Sequence, residues 1–138
     1  MASVFLYGTL KSGGVSHHFL AGQRLVGAAR TQPEYRLHQL DGYPGMVHAP
    51  EGGRSIEGEV WEVDPDCLAR LDAWEGTAVG LYARVPVRLL APHESLGTEA
   101  YLYLRDIAGR EDIGTRFGGI QPPDKGTPAS GGAKEPTS

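Results

Sequence analysis

The sequence predicts an α+β domain, a small β-barrel of about six or seven strands with a few flanking helices. Three observations carry this. Apolar, strand-like runs recur between turns rich in Gly and Pro. Only one long segment has both the caps and the periodicity of an α-helix. The strands do not alternate with long helices, as parallel βαβ units would require.

The elements follow in order. Val4-Phe5-Leu6-Tyr7 is a short apolar run ending at Gly8 and reads as a buried first strand. Residues 8–14 form a loop, and Ser16 is placed to N-cap a short helix carrying Phe19 and Leu20. Gln23 to Arg30 and Glu34 to Leu40 read as strands separated by Pro33, and Asp41-Gly42-Tyr43-Pro44-Gly45 is turn chemistry. Ser55 to Val63 alternates polar and apolar, with Gly58 marking a bulge or a close backbone approach. Asp64 (N-cap), Pro65 and Asp66 open the one clear helix; Cys67, Leu68, Leu71 and Trp74 share its apolar face, and Gly76 ends it. Leu81 to Leu90 and Glu99 to Leu104 read as the last strands, with Pro86 confining the first to an edge or a bulge.

Composition bounds the function. The 138 residues carry 13 Lys+Arg against 17 Asp+Glu, a net charge of −4. That balance leaves little to offer a phosphate backbone, so no nucleic-acid partner is expected. No apolar run approaches a membrane span, and the N-terminal residues lack the basic stretch of a signal peptide, so a cytoplasmic protein without a membrane partner is expected. The single cysteine, Cys67, rules out an internal disulfide and a Cys-rich metal site. Residues 118–138 hold nine Gly or Pro and no aromatic, so they read as a mobile tail behind a domain spanning residues 1–117.

Two features bear on chemistry. In Tyr7-Gly8-Thr9-Leu10-Lys11 a buried strand runs into a Gly-bearing loop, where consecutive amides can cradle an anion; residue types alone favour an ordinary strand-to-loop turn. The Gly-Lys-Ser/Thr spacing of a phosphate loop is absent. The second feature is Glu75, in the last turn of the helix, where the dipole disfavours a negative charge. Dipole and burial would both raise its pKa toward the range of a general base; alternatively it is a solvated Glu paired with Arg70 or Arg84. Tyr82 and Arg84 share a strand parity and face either this site or solvent. Asp72 and Glu75, three apart, read as a solvated helix edge rather than a glycosidase pair. Cys67 reads as an inert core thiol, Asp64 and Asp66 as helix-capping groups, and His17 and His18 as exposed. His38, His48 and His93 are isolated, so no metal site is expected.

Taken together, FLYGTLK (5–11), GYPGMV (42–47), IEGEVWEV (56–63), LDAWEG (71–76) and YAR (82–84) resemble the γ-glutamylcyclotransferase-like family, which includes γ-glutamylamine cyclotransferase and the avirulence-induced-gene-2-like proteins. The order and spacing of these elements carry the resemblance, from about Ser3 to Leu104. It implies a closed or nearly closed mixed β-barrel, and cyclisation of a small-molecule γ-glutamyl amine or peptide to 5-oxoproline without metal or organic cofactor. It also implies that Glu75 is the catalytic acid/base and that Tyr7, Gly8, Thr9 and Leu10 bind the γ-glutamyl group; Tyr82 and Arg84 are taken as further substrate contacts. The competing readings are a non-catalytic module binding a glutamyl-like carboxylate and an oligonucleotide-binding barrel.

Overall fold

A computed structural model of the chain describes residues 2–8, 10–11 and 17–117. Seven strands and one α-helix lie within them: β1 (Ala2–Leu6), β2 (Arg24–Arg30), β3 (Tyr35–Gln39), β4 (Pro44–His48), β5 (Glu57–Val63), α1 (Pro65–Trp74), β6 (Tyr82–Pro86) and β7 (Thr98–Tyr103). Short 3-10 turns occupy His17–Leu20 and Thr77–Val79. The anticipated Ser16 cap and the tail at 118–138 lie outside the described residues.

β1 is the centre of a five-stranded sheet ordered β2-β5-β1-β7-β6. It runs parallel to β7 and antiparallel to β5, so the sheet is mixed as expected. A central strand buried on both faces needs a continuous apolar run, which Val4 to Tyr7 supplies. Val4 and Leu6 pack with Cys67 and Leu71 of α1, while Phe5 and Tyr7 pack with Leu37 and Met46 of the β3–β4 hairpin. Gly58 on β5 is a close approach: a Cβ there would stand 2.4 Å from the Leu6 carbonyl oxygen.

The expected barrel does not close. Among the described residues the sheet edges, β2 and the segment after β6, meet at an isolated antiparallel bridge between Thr31 and Leu89. Two backbone hydrogen bonds flank it, Gln32 to the Arg88 carbonyl and Leu90 to the Arg30 carbonyl. β6 ends at Pro86, one residue before the Val87 N–H donates to the Thr98 carbonyl at 3.0 Å, and so stops short of the Leu90 expected; the missing Pro86 N–H faces the open edge of the sheet. A strand not anticipated, β4, begins at Pro44, the first-residue position where a strand tolerates proline. Among the described residues no helix is long and apolar enough to cross a membrane.

Candidate active site

The site grows from the C-terminal end of α1. Asp64 caps the helix start, its Oδ1 accepting the Cys67 N–H at 2.7 Å. Cys67 and Leu71 face the core with no exposed surface. Glu75 is four residues beyond Leu71, so it falls on the same buried face. Its N–H donates to the Leu71 carbonyl at 2.8 Å, and Gly76 then leaves the helix in the left-handed region at φ +69°.

Glu75 is 0% exposed. Among the described residues neither carboxyl oxygen has a hydrogen-bond partner. Burial, and secondly the charge of Asp72, hold its carboxyl well above the usual range. The solvated Glu75 paired with Arg70 or Arg84 is thus not what forms.

Arg84 instead forks onto Asp72, Nε to Oδ1 at 2.8 Å and Nη2 to Oδ2 at 3.1 Å, and its Nη1 reaches Glu99. The Tyr101 hydroxyl donates to Asp72 Oδ1 at 2.6 Å. Burial alone would raise the Asp72 carboxyl; the Arg84 and Tyr101 hydrogen bonds outweigh it and hold it below the usual value. Asp72 is a buttressed anion, not the solvated helix edge the spacing suggested.

The neighbouring tyrosines are committed elsewhere. Tyr82, fully buried and close enough to Glu75 to feel its charge, donates to the Pro44 carbonyl at 2.8 Å. The Tyr7 hydroxyl donates to the Tyr101 carbonyl at 2.6 Å and accepts the Met46 N–H at 3.1 Å. Tyr7, Tyr82 and Tyr101 thus each donate to an acceptor other than Glu75. The same bonds pin the β4 hairpin to the sheet.

In the loop after β1, Lys11 N–H returns to the Gly8 carbonyl at 3.1 Å, closing a turn, and Gly8 is buried. Leu10 packs fully buried in the cluster that holds Leu71, Tyr82 and Tyr101. The Leu10 carbonyl accepts from His17 Nδ1 at 3.0 Å, and the His17 ring lies edge-on to Trp61, so His17 is a loop contact rather than the exposed residue expected. Thr9 lies outside the described residues. An open cleft of about 480 Å³ runs beside Lys11, with Arg30, Gly58, Glu59 and Arg116 in its wall; Glu75 does not line it.

The structure therefore brings Glu75, Tyr82 and Leu10 into one buried neighbourhood, tied to Tyr7 through Tyr101. Arg84 arrives only through Asp72. Asp72 and Tyr101 were not anticipated as site residues, although Asp72 stands at the i−3 position that places it beside Glu75 on a helix. Cys67 is buried, and burial pushes its thiol up, as an inert core cysteine requires. Among the described residues no group of three His, Cys, Asp or Glu is placed to hold a metal ion.

The β1 loop, the α1 terminus and the strands around them define a known class. The chain belongs to the gamma-glutamyl cyclotransferase, AIG2-like family, whose model matches residues 4–116. It is 46% identical over 76 residues to a Vibrio cholerae protein provisionally named a gamma-glutamylcyclotransferase, covering 55% of this chain and 64% of that one. It is 38% identical over 99 residues to the gamma-glutamylaminecyclotransferase of Homo sapiens, covering 64% and 62%. The chain thus spans less than two thirds of the length of either relative. The crystal structure of an AIG2-like protein from Mus musculus superposes with a TM-score of 0.64 at 28% identity, over 74% of this chain and 76% of that one.

Proposed function

We propose that this protein is a γ-glutamyl cyclotransferase, which converts a γ-glutamyl amine or γ-glutamyl peptide to 5-oxoproline and a free amine. The observation that carries the reading is Glu75, a carboxyl buried in the core with no hydrogen-bond donor among the described residues. An ammonium group brought beside it would supply the missing partner and favour the ionised form. Family membership supports the same reading.

The substrate provides its own nucleophile, so no Ser/His or Cys/His pair is needed. Glu75 takes a proton from the α-ammonium, and the freed amine attacks the γ-carbonyl, forming the ring C–N bond. The tetrahedral centre collapses, the bond to the departing nitrogen breaks, and Glu75 returns its proton there. Two protons move from the attacking to the departing nitrogen over the cycle, and Glu75 ends as it began. Backbone amides of Gly8, Thr9 and Leu10 hold the α-carboxylate or the developing oxyanion. Tyr7 and Tyr82 shape the wall that folds the glutamyl chain toward attack. Arg84 acts from behind Asp72 rather than on the substrate.

The test is a panel of γ-glutamyl amines and dipeptides incubated with purified protein and assayed for 5-oxoproline. Release from at least one member is expected. Release from none, with the protein folded, would defeat the proposal.

A further inference from the structure

The groups around Glu75 divide unevenly between two carboxylates. From α1 comes Asp72, from β6 Tyr82, and from β7 Tyr101. Behind them Arg84 lies on Asp72 and is shared with Glu99, and Tyr82 in turn faces Tyr7, Tyr43 and Tyr103. The guanidinium fork and the Tyr101 hydroxyl go to Asp72, and the Tyr82 hydroxyl goes to a backbone carbonyl. Asp72 thus has three donated hydrogen bonds while Glu75, one helical turn away, has none among the described residues. A clamp that served only to tie α1 to β6 and β7 would not require Asp72 to stand beside a second, unsatisfied acid.

We infer that Asp72 is a positioning residue: held ionised by Arg84 and Tyr101, its fixed charge adds to burial in biasing the protonation of Glu75 and makes a cationic group, an ammonium, the favoured partner of that carboxyl. The inference rests on the role proposed for Glu75 but is tested without any substrate. The buttress works because an anion with its donors already in place does not move to neutralise itself when the adjacent site changes charge. The ammonium that replaces the missing partner of Glu75 also meets the field of Asp72, so binding of a cation and release of the Glu75 proton are coupled.

The experiment is a carboxyl ¹³C NMR titration of the free protein labelled at Asp and Glu. The Glu75 resonance is assigned by its loss in Glu75→Gln, and the Asp72 resonance by its loss in Asp72→Asn. In Asp72→Asn the Glu75 midpoint falls by about one pH unit or more, because a like charge is removed and Arg84 is left less neutralised. Asp72→Glu, which keeps the charge, holds the midpoint nearer to wild type. An unmoved or raised midpoint in Asp72→Asn overturns the inference. Should that variant not fold, the wild type decides: the Asp72 carboxyl resonance, assigned through its connectivity to the Asp72 backbone, must carry a second inflection at the Glu75 midpoint, and its absence overturns the inference equally. An inactive protein can pass this test and an active one can fail it, so it stands apart from the assay for 5-oxoproline.

Discussion

Asp72 and Glu75 stand one turn apart at the C-terminal end of α1, and the fold drives their carboxyls in opposite directions. Asp72, given the Arg84 fork and the Tyr101 hydroxyl, is held below the usual carboxylate range despite its partial burial. Glu75, buried with no donor among the described residues and facing the Asp72 charge, is held well above it. Two carboxyls whose environments separate their affinities for a proton are a recurring signature of acid/base sites.

The first consequence is for stability. The folded state binds the Glu75 proton more tightly than the unfolded chain does. The contribution of this group is therefore fully present below the ordinary value of 4.5 and is lost as pH rises through the raised folded value. Glu75→Gln removes that loss. Urea unfolding should find the variant more stable than wild type at pH 7, with the gap closing toward pH 4.

Arg84→Met leaves two partly buried carboxylates, Asp72 and Glu99, without their shared partner. With about a quarter to a third of each side chain exposed, the cost at pH 7 is about 1–3 kcal/mol by urea unfolding. The Asp72 share of that cost should shrink at acid pH, as the Asp72 carboxyl, held low by Arg84, takes up its proton.

Gly58→Ala tests the seam between β1 and β5. Its Cβ would meet the Leu6 carbonyl at 2.4 Å, and a backbone oxygen has nowhere to move without shifting β1. A loss of about 1–3 kcal/mol is expected in thermal or urea unfolding. Because β1 leads into the Gly8–Lys11 turn, KM should rise more than kcat falls.

Tyr82→Phe keeps the ring and deletes the hydroxyl, leaving the buried Pro44 carbonyl without that bond. The expected cost is about 1–2 kcal/mol. Backbone hydrogen exchange should quicken in β4, since Pro44 opens that strand.

These sites differ in how much of them could be read from the chain. The helix was legible because its signals are local: Asp64 and Pro65 start it and Gly76 ends it, all within one segment. The burial of Glu75 was only half legible: it continues the Cys67–Leu71 face by four residues, but the same residue also reads as a solvated Glu paired with Arg70 or Arg84. The partner of Arg84 was not. Asp72 and Glu75 lie 12 and 9 residues before it, and local spacing favours neither; the choice follows from how β6 crosses the helix end. β4 was hidden because Pro44-Gly45 is turn chemistry by itself, and its strand is held by Tyr7 and Tyr82, distant in sequence. Barrel closure likewise depends on two edges that no local pattern relates, and Pro86 cuts the ladder that would join them.

The central claim is that Glu75 moves the protons of the cyclisation. The direct measurement compares 5-oxoproline release by wild type and Glu75→Gln under single-turnover conditions on the best member of the substrate panel. Both proteins are first shown folded by their unfolding transitions. The account predicts a fall of at least ~10²-fold in the variant, with its stability at pH 7 above that of wild type. Equal rates in the two proteins would contradict it.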